Sequence, residues 1–207
     1  MMDRGLVRFA LCALMTPAAA AAQRSVEVGP MVAAYSPYGT YEHVGTVWRV
    51  GTPDQPNMNR APAWGAEARV WATHRIGLQL QGATSSSKQP LFSTPGGGGV
   101  ATISRVSSFT AQAMYALTRE ERNRFWLSAG GGLIRHSGTA YEAFGSPTHP
   151  VGALGFGSSF ALWHDLAASV GASSLLYNWE LSNSGATYQR GFQTDLLMHV
   201  GLTLRLH

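Results

Sequence analysis

From Gly191 to His207, apolar and polar positions alternate one by one. The even positions read Phe192, Thr194, Leu196, Met198, Val200, Leu202, Leu204 and Leu206, while the odd ones carry Gln193, Asp195, His199, Thr203 and Arg205. A period of two places those residues on opposite faces of a strand, whereas a helical period near 3.6 would mix them. Strands in soluble domains are usually about five or six residues long. One this long, apolar on one face and charged on the other, suits a strand that crosses a bilayer within a closed barrel.

Seven earlier stretches repeat the pattern: Ser25–Tyr35, Ala63–Thr73, Arg75–Thr84, Val106–Thr118, Arg124–Arg135, Val151–Trp163 and Asp165–Trp179. Their apolar sets include Val26, Val28 and Val32, then Ile76, Leu78 and Leu80, and later Leu154, Phe156 and Phe160. No Asp, Glu, Lys or Arg is expected in the lipid-facing set. Glu27, Glu67, Arg69, Asp195 and Arg205 all fall in the inward set. A charge facing lipid at mid-membrane costs about 2–4 kcal/mol, which gives that segregation a physical cause. Pro30 interrupts the first stretch, since proline donates no ladder hydrogen bond. Val106–Thr118 also admits a helical reading, because Ala, Gln, Met and Leu favour helices.

Connections alternate in length. Short polar turns centre on His74, Arg119–Asn123 and His164, and the other four segments are long and rich in Gly, Pro, Ser and Asn. Short periplasmic turns and long extracellular loops give that rhythm. Outward aromatics gather toward the two ends, with Trp64, Phe109 and Phe192 near the loops and Tyr115, Phe125 and Phe160 near the turns. Aromatic girdles at the two interfaces produce such a placement. The expected fold is all-β, an eight-stranded antiparallel up-and-down transmembrane β-barrel with four long extracellular loops.

Composition supports a membrane barrel: charged residues are 13% of 207, about half the usual share, and there are 24 glycines. Residues 1–22 read as a signal peptide. Arg4 and Arg8 supply a basic start, Phe9–Met15 an apolar core too short to span a bilayer, and Ala18–Ala22 a small-residue run suited to cleavage. Residues 23–207 then form the barrel domain. The single cysteine, Cys12, lies in the leader, which excludes disulfide and thiolate chemistry in the mature chain. Basic residues are scattered at a net charge of +4, so nothing points to nucleic acid.

On its signal peptide, strand rhythm and final amphipathic strand, the chain resembles the small eight-stranded outer-membrane barrels of the outer-membrane protein A and X transmembrane-domain type. The resemblance covers about residues 24–207 and is one of architecture, without a diagnostic motif. It implies the bacterial outer membrane of a Gram-negative cell, a monomeric barrel inserted by the barrel-assembly machinery, and lipid or lipopolysaccharide as surroundings. Such barrels usually end in an aromatic residue, whereas this chain ends Leu206–His207.

Candidate chemistry is sparse. The inward set holds Glu27, Glu67, Arg69, Gln79, Gln81, Gln112, His199 and Arg205. Glu67 with His199 could be read as an acid–base pair. However, an eight-stranded interior is just wide enough for side chains to fill, and buried charges there must pair, which favours a structural network. Some barrels of this size modify lipid A with Ser, His and a carboxylate, and His136, Ser137 and His149 are the residues to weigh for that alternative. A narrow channel for small or apolar solutes is a further one. The Gly96–Gly99 run lacks the Lys-Ser/Thr of a phosphate loop, and the dispersed histidines have no metal-ligand spacing. No cofactor or metal is expected. Tyr38, Tyr41 and Trp48, in the first long connection, form a possible contact surface or a hairpin extending the strands. The expected role is a non-enzymatic, side-chain-filled barrel serving envelope structure or surface interaction through its loops.

Overall fold

A computed structural model describes residues 25–39, 42–43, 61–90, 101–120, 122–139, 146–183 and 186–206. They form β1 (Ser25–Gly39), β2 (Glu42–His43), β3 (Ala61–Trp71), β4 (Ile76–Pro90) and β5 (Ala101–Ala116). β6 (Asn123–Ser137), β7 (Thr148–Ala161), β8 (Leu166–Asn183) and β9 (Ala186–Leu206) complete the set. Neighbours pair antiparallel in chain order, and β1 also pairs with β9, which closes the sheet. The two-residue β2 continues the register of β1 along β9, through Glu42↔Arg190, so the barrel has eight strands around its wall.

The register fixes the barrel's dimensions. Followed from Val26 through Val70, Leu78, Ala113, Ala129, Leu154, Ser174 and Leu196, it returns to β1 at Ser36, about ten residues along. With strands about 4.8 Å apart and about 3.3 Å of rise per residue, that stagger tilts eight strands by about 41°. The backbone radius follows as about 8 Å. Such a bore is one that large side chains fill.

Alternation runs through the strands, with a break on β7 where Gly157, Ser158 and Ser159 are all buried. Along β9, Gln193, Asp195, Leu197, His199, Gly201, Thr203 and Arg205 are buried, while Met198, Val200, Leu202, Leu204 and Leu206 are exposed. The six outward aromatics assigned to the two girdles are exposed as well. Val106–Thr118 lies almost wholly in β5, a strand, because its backbone groups are satisfied by β4 and β6 on either side. Pro30 faces outward opposite Ala66, where the β1–β9 ladder steps from Val28↔Leu204 to Met31↔Gly201.

Three expectations need correction. Strands run further toward the loop end than the alternation indicates: β4 and β5 stay paired to Pro90↔Ala101. Ser85, Ser86 and Ser87 carry no apolar set there, and Val106, paired with the buried Ser85, packs against the interior clusters. The last of the four long connections is mostly ladder too, since β8 and β9 pair as far as Asn183↔Ala186 with a bulge at Leu181/Ser182. Finally, the outward set is not free of charge: Arg105 and Arg135 face outward, and both are exposed. They occupy the loop-end extension of β5 and β6, where the lipid-face penalty fades.

Residues 1–22, read as the leader, and the Gly96–Gly99 run lie outside the described residues. So do Tyr41 and Trp48. The backbone of Tyr38 pairs with Thr194 on β9.

Candidate functional site in the barrel interior

Strand register stacks the inward side chains into levels. The level nearest the short turns is centred on Glu27, whose two ladder neighbours are Arg69 on β3 and Arg205 on β9. Arg205 donates to Glu27 Oε1 from Nε at 3.2 Å and from Nη2 at 3.0 Å. Arg69 Nε stands 3.3 Å from Oε2, and Arg124 Nη1 3.9 Å from Oε1. One fully buried carboxylate is thus held among three guanidiniums. Two tryptophans complete the level: Arg69 lies 4.7 Å over Trp126, Arg124 lies 4.5 Å over Trp71, and the two indoles meet edge to face at 6.3 Å. Trp71 and Trp126 are buried, so the bore here is occupied by aromatic rings and paired charge.

Glu67 anchors the next level. It accepts from Ser169 Oγ at 2.5 Å, from Gln79 Nε2 at 3.3 Å and from Arg69 Nη2 at 3.4 Å. His199 Nε2 is 3.7 Å from Glu67 Oε2, and its Nδ1 is 3.3 Å from Gln81 Nε2. Gln112 belongs to a separate chain, donating to Thr110 Oγ1 and accepting from Ser128 Oγ. Of the eight inward residues proposed from sequence, Glu27, Arg69 and Arg205 therefore meet directly. Glu67, Gln79, Gln81 and His199 join them through Arg69, and Gln112 does not.

Toward the loop end the interior becomes mixed. Met31, Tyr35, Ala63, Ala83 and Leu197 form one apolar cluster, and Ile134, Val151, Ala153, Leu175 and Tyr177 another. Between them sits Asp195, buried, accepting from Gln193 Nε2 at 2.7 Å, from Tyr177 Oη at 2.8 Å and from the Tyr35 hydroxyl. His136 and His149 pack against Tyr177, with ring centroids 5.9 Å away in each case.

Asp195, Arg124, Trp71, Trp126 and Ser169 were absent from the sequence-derived site. Parity already sets Asp195, Trp71, Trp126 and Ser169 on inward faces, and Arg124 shares its face with Trp126. Their grouping by level needs the register.

The fold can be compared with solved structures. The chain superposes on the crystal structure of Neisserial surface protein A with a TM-score of 0.53, at 13% identity, over 87% of this chain and 98% of that one. The outer-membrane protein OprG of Pseudomonas aeruginosa gives a TM-score of 0.58 at 11% identity, covering 88% of this chain and 96% of that one. No protein-family model and no curated protein matches the sequence. This chain has the fold of the small eight-stranded outer-membrane β-barrels. With its apolar outer belt, that fold assigns it to the bacterial outer membrane.

Proposed function

We propose that the protein is a non-enzymatic outer-membrane barrel with a side-chain-filled interior, serving envelope structure or surface interaction through its loops. The observation that carries this reading is the level at Glu27, where three arginines and two tryptophans cross a bore of about 8 Å radius. A barrel packed in this way conducts no steady current. Reconstituted into planar bilayers, the wild type is expected to leave the membrane resistance unchanged. A stable large conductance would refute the filled interior and favour the channel reading.

Tyr38 and the segment from 40 to 60 supply the surface in this reading, with Tyr38, Tyr41 and Trp48 as candidate contact residues. The long loops face the cell exterior and the short turns face the periplasm. The barrel acts as a monomer, delivered by the assembly machinery and surrounded by lipopolysaccharide.

The lipid A-modifying alternative is weakened by strand geometry. His136 faces inward and is buried against Tyr177, whereas the next residue, Ser137, takes the opposite face of β6. Neighbours on one strand cannot pair as base and nucleophile. Mass spectrometry of lipid A from cells with and without the protein is expected to show one acylation pattern, and a changed pattern would sink the non-enzymatic reading.

A further inference from the structure

Arg105 and Arg135 are exposed cations at the loop end of the outer wall. They sit on adjacent strands in diagonal register, as Arg105↔Ser137 and Ser107↔Arg135 show. Diagonal neighbours of this kind lie about 7–8 Å apart. Both side chains are exposed, and among the described residues neither forms an ion pair. The exposed acid Glu180 stands on β8, with β7 in between.

Their height relative to the apolar belt is set by the strand tilt. At about 41°, each residue rises about 2.5 Å along the barrel axis. Arg105 is four positions beyond the exposed Phe109, or about 10 Å above it, and Arg135 is two beyond the exposed Leu133, or about 5 Å. Two cations, without an ion pair among the described residues, thus stand at the loop-end edge of the hydrocarbon zone, at headgroup depth.

Below them, past the exposed pair Phe109 and Leu133, the same strands carry a hollow. Ala111 and Gly131 face each other across β5 and β6, as do Ala113 and Ala129. An open groove of about 590 Å³ continues downward, lined by Ala113, Leu127, Ala129 and Leu154. From Arg105 to Ala113 is about 20 Å along the axis, enough for an acyl chain filling one leaflet of about 15 Å.

We propose that Arg105 and Arg135, with the groove beneath them, form a lipid A site: the guanidiniums bind its phosphates and one acyl chain lies along Ala111, Ala113, Ala129 and Gly131. Charge complementarity selects the occupant. Planar guanidiniums pair bidentately with phosphate, and a doubly phosphorylated headgroup satisfies both at once. The site rests on the reading that the loop end faces the cell exterior, where lipid A resides.

The test uses the full folded barrel in detergent, offered bisphosphorylated lipid A, monophosphorylated lipid A or phosphatidylglycerol, with bound lipid read by native mass spectrometry. The wild type is expected to retain the bisphosphorylated form over both others. Arg105→Ala with Arg135→Ala lowers that retention about tenfold, and the paired Lys substitutions keep most of it. Ala129→Phe fills the groove, leaves both arginines in place and also lowers retention. Equal retention of the three lipids by the wild type overturns the proposal without any variant. So does an alanine pair that binds like the wild type, or an Ala129→Phe barrel that does. A preference for phosphatidylglycerol overturns both the site and the orientation, while leaving the conductance measurement free to support a filled interior.

Discussion

Removing Glu27 should damage the barrel more than removing any one of its partners. Glu27→Leu leaves Arg69, Arg124 and Arg205 facing one another at a level where Arg69 is fully buried and Arg205 is 8% exposed. Stripping a buried charge of its partner typically costs about 3–5 kcal/mol. Arg205→Leu is milder, because Glu27 keeps Arg69 at 3.3 Å and Arg124 at 3.9 Å. It removes two charge-assisted hydrogen bonds to one oxygen, which amounts to about 1.5–3 kcal/mol. In the double variant the Arg205 contacts are lost only once, so the two effects should fall short of additivity by about 1–3 kcal/mol. The assay is urea unfolding in phospholipid vesicles, followed by tryptophan fluorescence, with gel mobility against temperature as an independent check. Trp71 and Trp126 lie against this level, and replacing the other four tryptophans by Phe in every variant makes the fluorescence a local reporter. Strict additivity, or an Arg205→Leu barrel weaker than Glu27→Leu, would refute the account of Glu27 as the hub.

Two further outcomes follow from packing and topology. A Cβ at Gly29 would lie 1.8 Å from the Leu202 carbonyl oxygen, so Gly29→Ala must displace backbone at the β1–β9 contact and is expected to cost about 1–3 kcal/mol. Gly152→Ala, whose Cβ would meet nothing nearer than 3.8 Å, serves as the tolerated control, and equal stability of the two variants would contradict the close approach. Protease added to intact cells should cut near Gly96–Gly99 and spare the turn at Arg119–Asn123. Cleavage at the turn alone would reverse the orientation.

The faces of the strands were readable from sequence because a barrel wall separates lipid from interior, and that boundary imposes a period of two on every span. The same logic explains what was missed. Above the belt the outer face meets water, so Ser85–Ser87 carry no apolar set while their ladder continues, as does the ladder of β8 and β9 out to Asn183↔Ala186. Arg124 stands at the first inward position of β6, at the edge of the readable span, and was passed over although it is buried. Asp195 was legible as inward, yet its partner Tyr35 is 160 residues away, and only closure of the barrel brings them together. Arg105 and Arg135 were obscured by the assumption that every outward position faces hydrocarbon.

Alternation determines which face a residue takes, but a slip of two residues preserves it, so something else must choose the stagger. For the consecutive strands β3 to β9 the connecting turns limit the choice; Thr73, for example, accepts from the backbone N–H of Arg75 and Ile76 and closes the β3–β4 turn. No turn joins β1 to β9. Their register has to come from side chains, and two polar pairs bridge that seam: Glu27 with Arg205 near the turn end and Tyr35 with Asp195 toward the loop end. A slip of two would set Glu27 opposite Thr203 and leave Arg205 without its carboxylate. It would also bring a residue with a Cβ to the point where Gly29 approaches the Leu202 carbonyl. Each penalty applies only to the wrong stagger. The buried charges are therefore best understood as the device that selects one closed barrel among those the hydrophobic pattern allows, and the filled interior follows from that selection.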